Sequence, residues 1–238
     1  MKNVAVILAG GVGKRMGYSL PKQFLPLAER IVIEYSIETF NDHPAINEIA
    51  VVMHPAWRDY FYTIEKRNHW EKLRKVIDGG GERYMSSINA IMAYNDYPDD
   101  TNILLHDAAR PWVSKEIINR VVDALRKYEA VGVAVQSADT VWEVRPEINS
   151  EWNGTGEKSY DARFVFSVPE RKRMWCAQTP QAFRLPLMRD AYRCAMQDPQ
   201  FQATDDCSVV HKYSPDTKIY VVEGEASNRK ITYREDVV

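Results

Sequence analysis

Residues 8–24 read Leu-Ala-Gly-Gly-Val-Gly-Lys-Arg-Met-Gly-Tyr-Ser-Leu-Pro-Lys-Gln-Phe and follow an apolar run. A glycine loop lets backbone amides close on a phosphate oxygen where any Cβ would intervene. Arg15 and Lys22 place two cations on this loop, and Pro21 stiffens the segment that carries the lysine. The pattern predicts a nucleoside triphosphate cradle. It is not a P-loop, because Lys14 is followed by Arg15 where that motif sets Ser or Thr for magnesium. Nor is it a dinucleotide fingerprint, because Met16 stands where the third glycine would fall, which counts against an NAD-dependent dehydrogenase.

Further stretches could complete such a site. Residues 78–86 (Asp-Gly-Gly-Gly-Glu-Arg-Tyr-Met-Ser) again allow close backbone approach, here to a base edge or a ribose. Amides opening a helix at residues 83–87 would add a positive dipole end. In residues 106–111 (His-Asp-Ala-Ala-Arg-Pro), Asp107 suits Mg²⁺ and Arg110 suits bidentate phosphate binding, with small alanines leaving room for a ligand. The bland alternative is an Asp107–Arg110 ion pair capping the next helix, and His106 reads as a satisfied structural histidine. Residues 175–181 (Trp-Cys-Ala-Gln-Thr-Pro-Gln) read as a compact turn, with Thr179 locked by Pro180. Arg171, Lys172 and Arg173 form a basic cluster that would ordinarily be a solvated face. Lys230 and Arg229 lie beside a strand-like residue, and Asp205 and Asp206 would favour a helix N-terminus.

The elements that must position these residues follow from periodicity. Short β-branched runs at residues 4–8, 49–53, 76–77, 103–105 and 131–135 read as buried strands. Helical patterns occupy residues 31–40, 57–66, 85–94 and 115–128, the last with Ser114 as N-cap, then 185–196 and 205–213; residues 218–222 read as a late strand. Such alternation predicts an α/β fold, a mainly parallel twisted sheet with helices on both faces and ligands at the carboxyl ends of its strands. The rhythm breaks after Thr140. Residues 145–163 have a loop composition between strand-like pieces at 140–144 and 163–168, which predicts a long hairpin leaving the main body. An isolated two-stranded ribbon is marginal in water, so a second subunit is expected against it.

The chain of 238 residues, 45% hydrophobic, suits one large domain, read as residues 1–238 with an arm at 140–170. A formal charge of -2 gives no general attraction to nucleic acid or an acidic membrane. Cys176, Cys194 and Cys207 are odd in number and lack chelating spacing, which fits a reducing interior. No apolar stretch approaches the roughly 20 residues of a membrane span, and the N-terminal apolar run is too short for a secretory signal. A cytoplasmic protein is expected.

Taken in order, the pieces resemble the cytidylyltransferases that load polyol phosphates onto CMP, above all the 2-C-methyl-D-erythritol 4-phosphate cytidylyltransferase family, with ribitol-5-phosphate cytidylyltransferases as the sister family. The set is Ala-Gly-Gly-x-Gly-x-Arg-Met, Pro-Lys-Gln, His-Asp-Ala-Ala-Arg-Pro, Gln-Thr-Pro-Gln, Thr-Asp-Asp and Asn-x-Lys-Ile-Thr, spread from Ala9 to Asp236. The resemblance implies a Rossmann-like nucleotidyltransferase fold, a homodimer clasped by the arm, small-molecule substrates, CTP as co-substrate and Mg²⁺ or another divalent cation. It implies that Ala9, Gly10, Gly11 and Gly13, with Gly80, Gly81, Glu82, Arg83 and Ser86, hold the nucleotide. Arg15 and Lys22 would stabilise the transition state. Arg171, with Arg173 as the alternative in register, and Lys230 would orient the acceptor phosphate. Asp107, Ala108, Arg110, Thr140 and Thr179 would line the acceptor pocket. Gly81 stands where the family commonly has an acid. A pentitol phosphate acceptor and a non-catalytic nucleotide sensor are the competing readings.

Overall fold

The computed structural model describes residues 1–11, 20–147 and 162–237. β1 (Asn3–Ala9) is buried along its whole length, and its side chains alternate between two cores. Ala5, Ile7 and Ala9 enter one, while Val4, Val6 and Leu8 enter the other. That period of two, with apolar residues on both faces, is what a central strand of a doubly covered sheet requires. After it come β2 (Pro26–Leu27) and β3 (Arg30–Ile31), a short antiparallel pair the sequence did not signal, then α1 (Val32–Asn41), β4 (Glu48–Met53) and α2 (Arg58–Asn68). β5 (Leu73–Asp78), α3 (Arg83–Ala93), β6 (Asn102–Asp107), α4 (Lys115–Ala124) and β7 (Ala130–Gln136) continue the alternation. β8 (Glu143–Glu147) and β9 (Ala162–Ser167) pair with each other, and β10 (Trp175–Arg184), α5 (Leu185–Ala195), α6 (Asp206–Tyr213) and β11 (Ile219–Glu223) complete the chain.

Among the described residues, the main sheet has seven strands in the order β11-β7-β10-β6-β1-β4-β5. β6, β1, β4 and β5 run parallel, as do β11 and β7, whereas β10 is antiparallel to β6. One face carries residues of α1, α2 and α4, such as Ile37, Phe61 and Ile117; the other carries α3, α5 and α6, through Ile91, Met188 and Val210. Two expectations need correction. Residues 175–181 form strand, not a turn. The helix expected to reach residue 128 stops at Ala124, where the Lys127 and Tyr128 amides turn back onto the Ala124 carbonyl at 3.0 Å. Its start is as read: Ser114 Oγ accepts from the Ile117 amide at 3.1 Å.

The chain divides into two compact units, residues 1–134 with 178–238 and residues 135–177. The second unit is broader than the arm expected at 140–170. Within it β8 and β9 form an antiparallel ribbon, with the Arg145 guanidinium 3.1 Å from the centre of the Phe166 ring. Val144, Phe164, Val165 and Phe166 are exposed. Much of the loop-like composition expected at 145–163 lies outside the described residues.

Candidate active site

Strand register assembles the site. Leu8 pairs with Asp107, Ala9 with Met53 and Met53 with Asp78, so β1, β4, β5 and β6 end together and their following loops share one rim. A cavity of about 530 Å³ opens there. The Gly79 amide donates to the Met53 carbonyl at 2.7 Å, and the Gly80 amide donates to Ser86 Oγ at 3.2 Å. These bonds fold the second glycine loop onto the opening turn of α3. A Cβ on Gly80 would lie 2.1 Å from Met85 Cβ, and one on Gly10 would lie 3.0 Å from Ser86 Oγ. Gly80 therefore needs glycine for close approach, whereas at Gly10 the Ser86 hydroxyl would have to give by a few tenths of an ångström.

Lys22 starts a 3-10 turn, Lys22–Phe24. Phe24 is buried against Trp57 and Tyr60, with ring centres 5.6 and 5.2 Å away. Lys22 Nζ donates to the Ile231 carbonyl at 3.0 Å, and Gln23 Nε2 donates to the Ala9 carbonyl at 2.6 Å.

Across the cavity, Asp107 Oδ2 accepts from Lys230 Nζ at 2.7 Å, and Oδ1 lies 3.4 Å from Arg83 Nε. Arg83 Nη1 donates to Asp206 Oδ2 at 2.7 Å, whose other oxygen accepts from the Tyr192 hydroxyl at 2.7 Å. Burial alone would raise the Asp107 pKa, but Arg83 and Lys230 outweigh it and hold the carboxyl well below the usual range. The site thus keeps an ionised carboxylate and cations side by side. Behind it, the Asp107 amide donates to Thr179 Oγ1 at 3.1 Å. Thr179 Oγ1 lies 3.0 Å from His106 Nδ1, and His106 Nε2 lies 3.1 Å from the Arg110 carbonyl. One assignment satisfies all three: neutral His106 donates from Nε2 and accepts at Nδ1. Burial pushes its pKa down to about 4.

Of the residues expected at the site, Ala9, Gly10, Gly11, Lys22, Gly80, Gly81, Glu82, Arg83, Ser86, Asp107, Ala108 and Lys230 line this cavity. Gly13 and Arg15 lie outside the described residues. Arg110 and Thr179 do not line it: Arg110 Nη1 donates to the Asn228 carbonyl at 2.7 Å, and Thr179 is spent on His106 and the Asp107 amide. Thr140, Arg171 and Arg173 belong to the second unit, where Arg171 Nη1 donates to the Ala138 carbonyl at 3.3 Å and Arg173 pairs with Glu170 at 3.1 Å.

Sequence reading missed Leu8, Gln23, His54 and Ala109 as lining residues. Three of them sit inside quoted motifs, and His54 directly follows β4, where the strand-end rule would have found it. It also missed Asp206, read as a helix-end charge. Asp205 is the N-cap, accepting from the Ser208 amide at 2.8 Å, while Asp206 is fully buried against Arg83.

Asp107 offers a hard oxygen donor that is already ionised, so the residues fit a divalent cation. Among the described residues no group of three or more His, Cys, Asp or Glu side chains could cage one. A single carboxylate already held by Lys230 and Arg83 would supply at most one or two ligands to such a cation, whose remaining oxygens would have to come from phosphates and water.

A doubly wound sheet whose glycine-lined rim carries Lys22, and an Asp107 carboxylate held between Arg83 and Lys230, has the make-up of a nucleotidyltransferase. A family model described as 2-C-methyl-D-erythritol 4-phosphate cytidylyltransferase matches residues 3–238. The chain belongs to that family. The enzyme of that name from Thermobifida fusca is 40% identical over 98% of this chain and 89% of its own length. The bifunctional ribulose 5-phosphate reductase/CDP-ribitol pyrophosphorylase of Haemophilus influenzae is 35% identical over 99% of this chain, which spans about half (47%) of that longer protein. Among solved structures, 4-diphosphocytidyl-2C-methyl-D-erythritol synthase from Anaerococcus prevotii superposes with a TM-score of 0.80 at 30% identity, covering 99% of this chain and 92% of its own. The Francisella tularensis 2-C-methyl-D-erythritol 4-phosphate cytidylyltransferase gives 0.76 at 25% identity, over 100% and 97%. Among the described residues, no helix is long and apolar enough to cross a membrane.

Proposed function

We propose that the protein transfers CMP from CTP to 2-C-methyl-D-erythritol 4-phosphate, releasing pyrophosphate. A phosphate oxygen of the acceptor forms a bond to the α-phosphorus of CTP, and the bond from that phosphorus to the bridging oxygen of the β-phosphate breaks. The acceptor phosphate has a second pKa near 6 and arrives mostly ionised, so no general base is needed. This agrees with a His106 whose two ring nitrogens are already engaged.

The difficulty is charge. Two unit negative charges at 4 Å repel by about 4 kcal/mol at an effective dielectric near 20. The observation that carries the reading is the placement of Lys22, Arg83 and Lys230 on the wall of one glycine-lined cavity. In this reading Ala9, Gly10 and Gly11 with Gly80, Gly81, Glu82, Arg83 and Ser86 hold the nucleotide. Lys22 and Arg15 favour the transition state, and Lys230 with Arg171 orients the acceptor phosphate. Asp107 would hold Mg²⁺, which neutralises triphosphate charge when bound. Thr140 and Arg171 would act from the ribbon unit of a second subunit, in a homodimer formed through residues 140–170. The four exposed apolar residues of that ribbon support this assembly. The protein would be one nucleotidyltransferase domain with an arm, working in the cytoplasm.

The ribitol relative keeps D-ribitol 5-phosphate as the second acceptor. Pyrophosphate release from CTP and Mg²⁺ with each polyol phosphate in turn decides between them. A preference for methylerythritol phosphate is expected; a preference for ribitol phosphate reverses the assignment. CTP binding without turnover on any polyol phosphate would indicate a nucleotide sensor.

A further inference from the structure

Gln23 is 3% exposed, lines the cavity and ends the β1 ladder sideways: its Nε2 donates to the carbonyl of Ala9, the last residue in register with β4. It also sits in the three-residue turn that begins with Lys22. The turn is fixed at its other end by the buried Phe24 ring between Trp57 and Tyr60, and closed by the Phe24 amide on the Pro21 carbonyl at 2.9 Å. Between aromatic packing on one side and the glycine loop on the other, the buried Gln23 amide joins the lysine turn to the Ala9 end of the cradle, while the Lys22 ammonium itself rests on the Ile231 carbonyl at 3.0 Å.

We propose that Gln23 is a positioning residue, whose bond to the Ala9 carbonyl sets the Lys22 ammonium against the nucleotide held by the glycine loop. The inference rests on the cytidylyltransferase reading. A buried amide bonded at 2.6 Å leaves little play. Losing it strands a buried carbonyl and frees the turn to shift, and shifts of about 1 Å at a reacting centre can cost about 10²-fold in rate.

The test is a double-mutant cycle with Lys22. Gln23→Met keeps length and removes the donor; Gln23→Asn keeps the donor one methylene short and serves if the first variant fails to fold. Expected for either is a fall in kcat of about 30-fold, with the KM for the acceptor moving less than about 3-fold. In a Lys22→Ala background the same change should cost less than about 3-fold further, because what it positions is gone. A merely structural glutamine would lower Tm and multiply independently with Lys22→Ala. Independent multiplication, or a kcat within about 3-fold of the parent, overturns the proposal. If the parent releases no pyrophosphate with any acceptor, the functional reading fails on its own. Calorimetric titration with CTP then decides: weakening of about 10-fold that vanishes in the Lys22→Ala background supports the role of Gln23, and unchanged affinity overturns it.

Discussion

The Lys230 ammonium lies 2.7 Å from Asp107 Oδ2, although 123 residues separate them. With Arg83 at the other oxygen, the carboxylate that ends β6 fixes two cations on the cavity wall before any phosphate enters. Each cation is thereby kept near its working position, which lowers the cost of assembling the site around a triphosphate. Lys230→Ala is expected to raise the acceptor KM by about 10-fold or more while kcat falls little, the pattern of a positioning contact. Lys22→Ala is expected to lower kcat by on the order of 10²-fold. Initial rates with each substrate varied in turn separate the two.

His106 makes stability depend on pH. Its folded pKa is depressed to about 4 against an ordinary value of 6.5, with burial as the main cause. Between those values the unfolded chain binds a proton that the native protein refuses. Stability is therefore fully present above pH 6.5 and is lost as pH falls toward 4, by at most about 1.4 kcal/mol per pH unit. Urea unfolding at pH 7.5, 6.5, 5.5 and 4.5 should show that slope, and His106→Gln should flatten it. An equal slope in both proteins would assign the acid sensitivity to other groups.

What was legible in the chain was what depends on neighbours in sequence. The alternation of β1, the Ser114 cap and the two glycine loops each announce themselves within ten residues. What stayed hidden depends on where distant elements land. Nothing in Thr-Asp-Asp says that Asp206 will meet Arg83, because the pairing is set by α6 packing beside α5 and α3. Pro180 misled in another way. Proline ordinarily punctuates a strand, yet β10 places it next to the stretch that pairs with β6 from Gln181 to Arg184, and the strand continues through it. Arg110 suits a phosphate by its type, and nothing near it in the chain says that its Nη1 will donate to the Asn228 carbonyl, 118 residues away.

Asp206→Asn should be costly although the side chain lies behind the cavity. The carboxylate is fully buried and bonded to Arg83 and Tyr192, and the Arg83 side chain is only 29% exposed. Removing one partner leaves a charge with little water, at a cost of about 3 kcal/mol. The midpoint of urea unfolding should fall with an unchanged m-value. The KM for CTP should rise as well, since Arg83 faces the cavity. A variant as stable as the parent would show that solvent reaches Arg83 more freely than the packing allows.

Gly80 and Gly81 are neighbours with opposite expectations. A Cβ at Gly80 would meet Met85 Cβ at 2.1 Å and its backbone carbon at 3.2 Å, so the opening turn of α3 must move and carry Arg83 and Ser86 with it. At Gly81 nothing lies within 4 Å of the added carbon. Gly80→Ala is therefore expected to weaken CTP binding by about 10-fold or more and to destabilise the fold by about 1 to 3 kcal/mol, the range for overpacking. Gly81→Ala should change stability by no more than about 0.5 kcal/mol. Calorimetric CTP titration and urea unfolding of both variants check the contrast. Equal losses at the two positions would mean that the loop binds through Gly81 as well, with a ligand atom filling the space that the structure leaves open beside it.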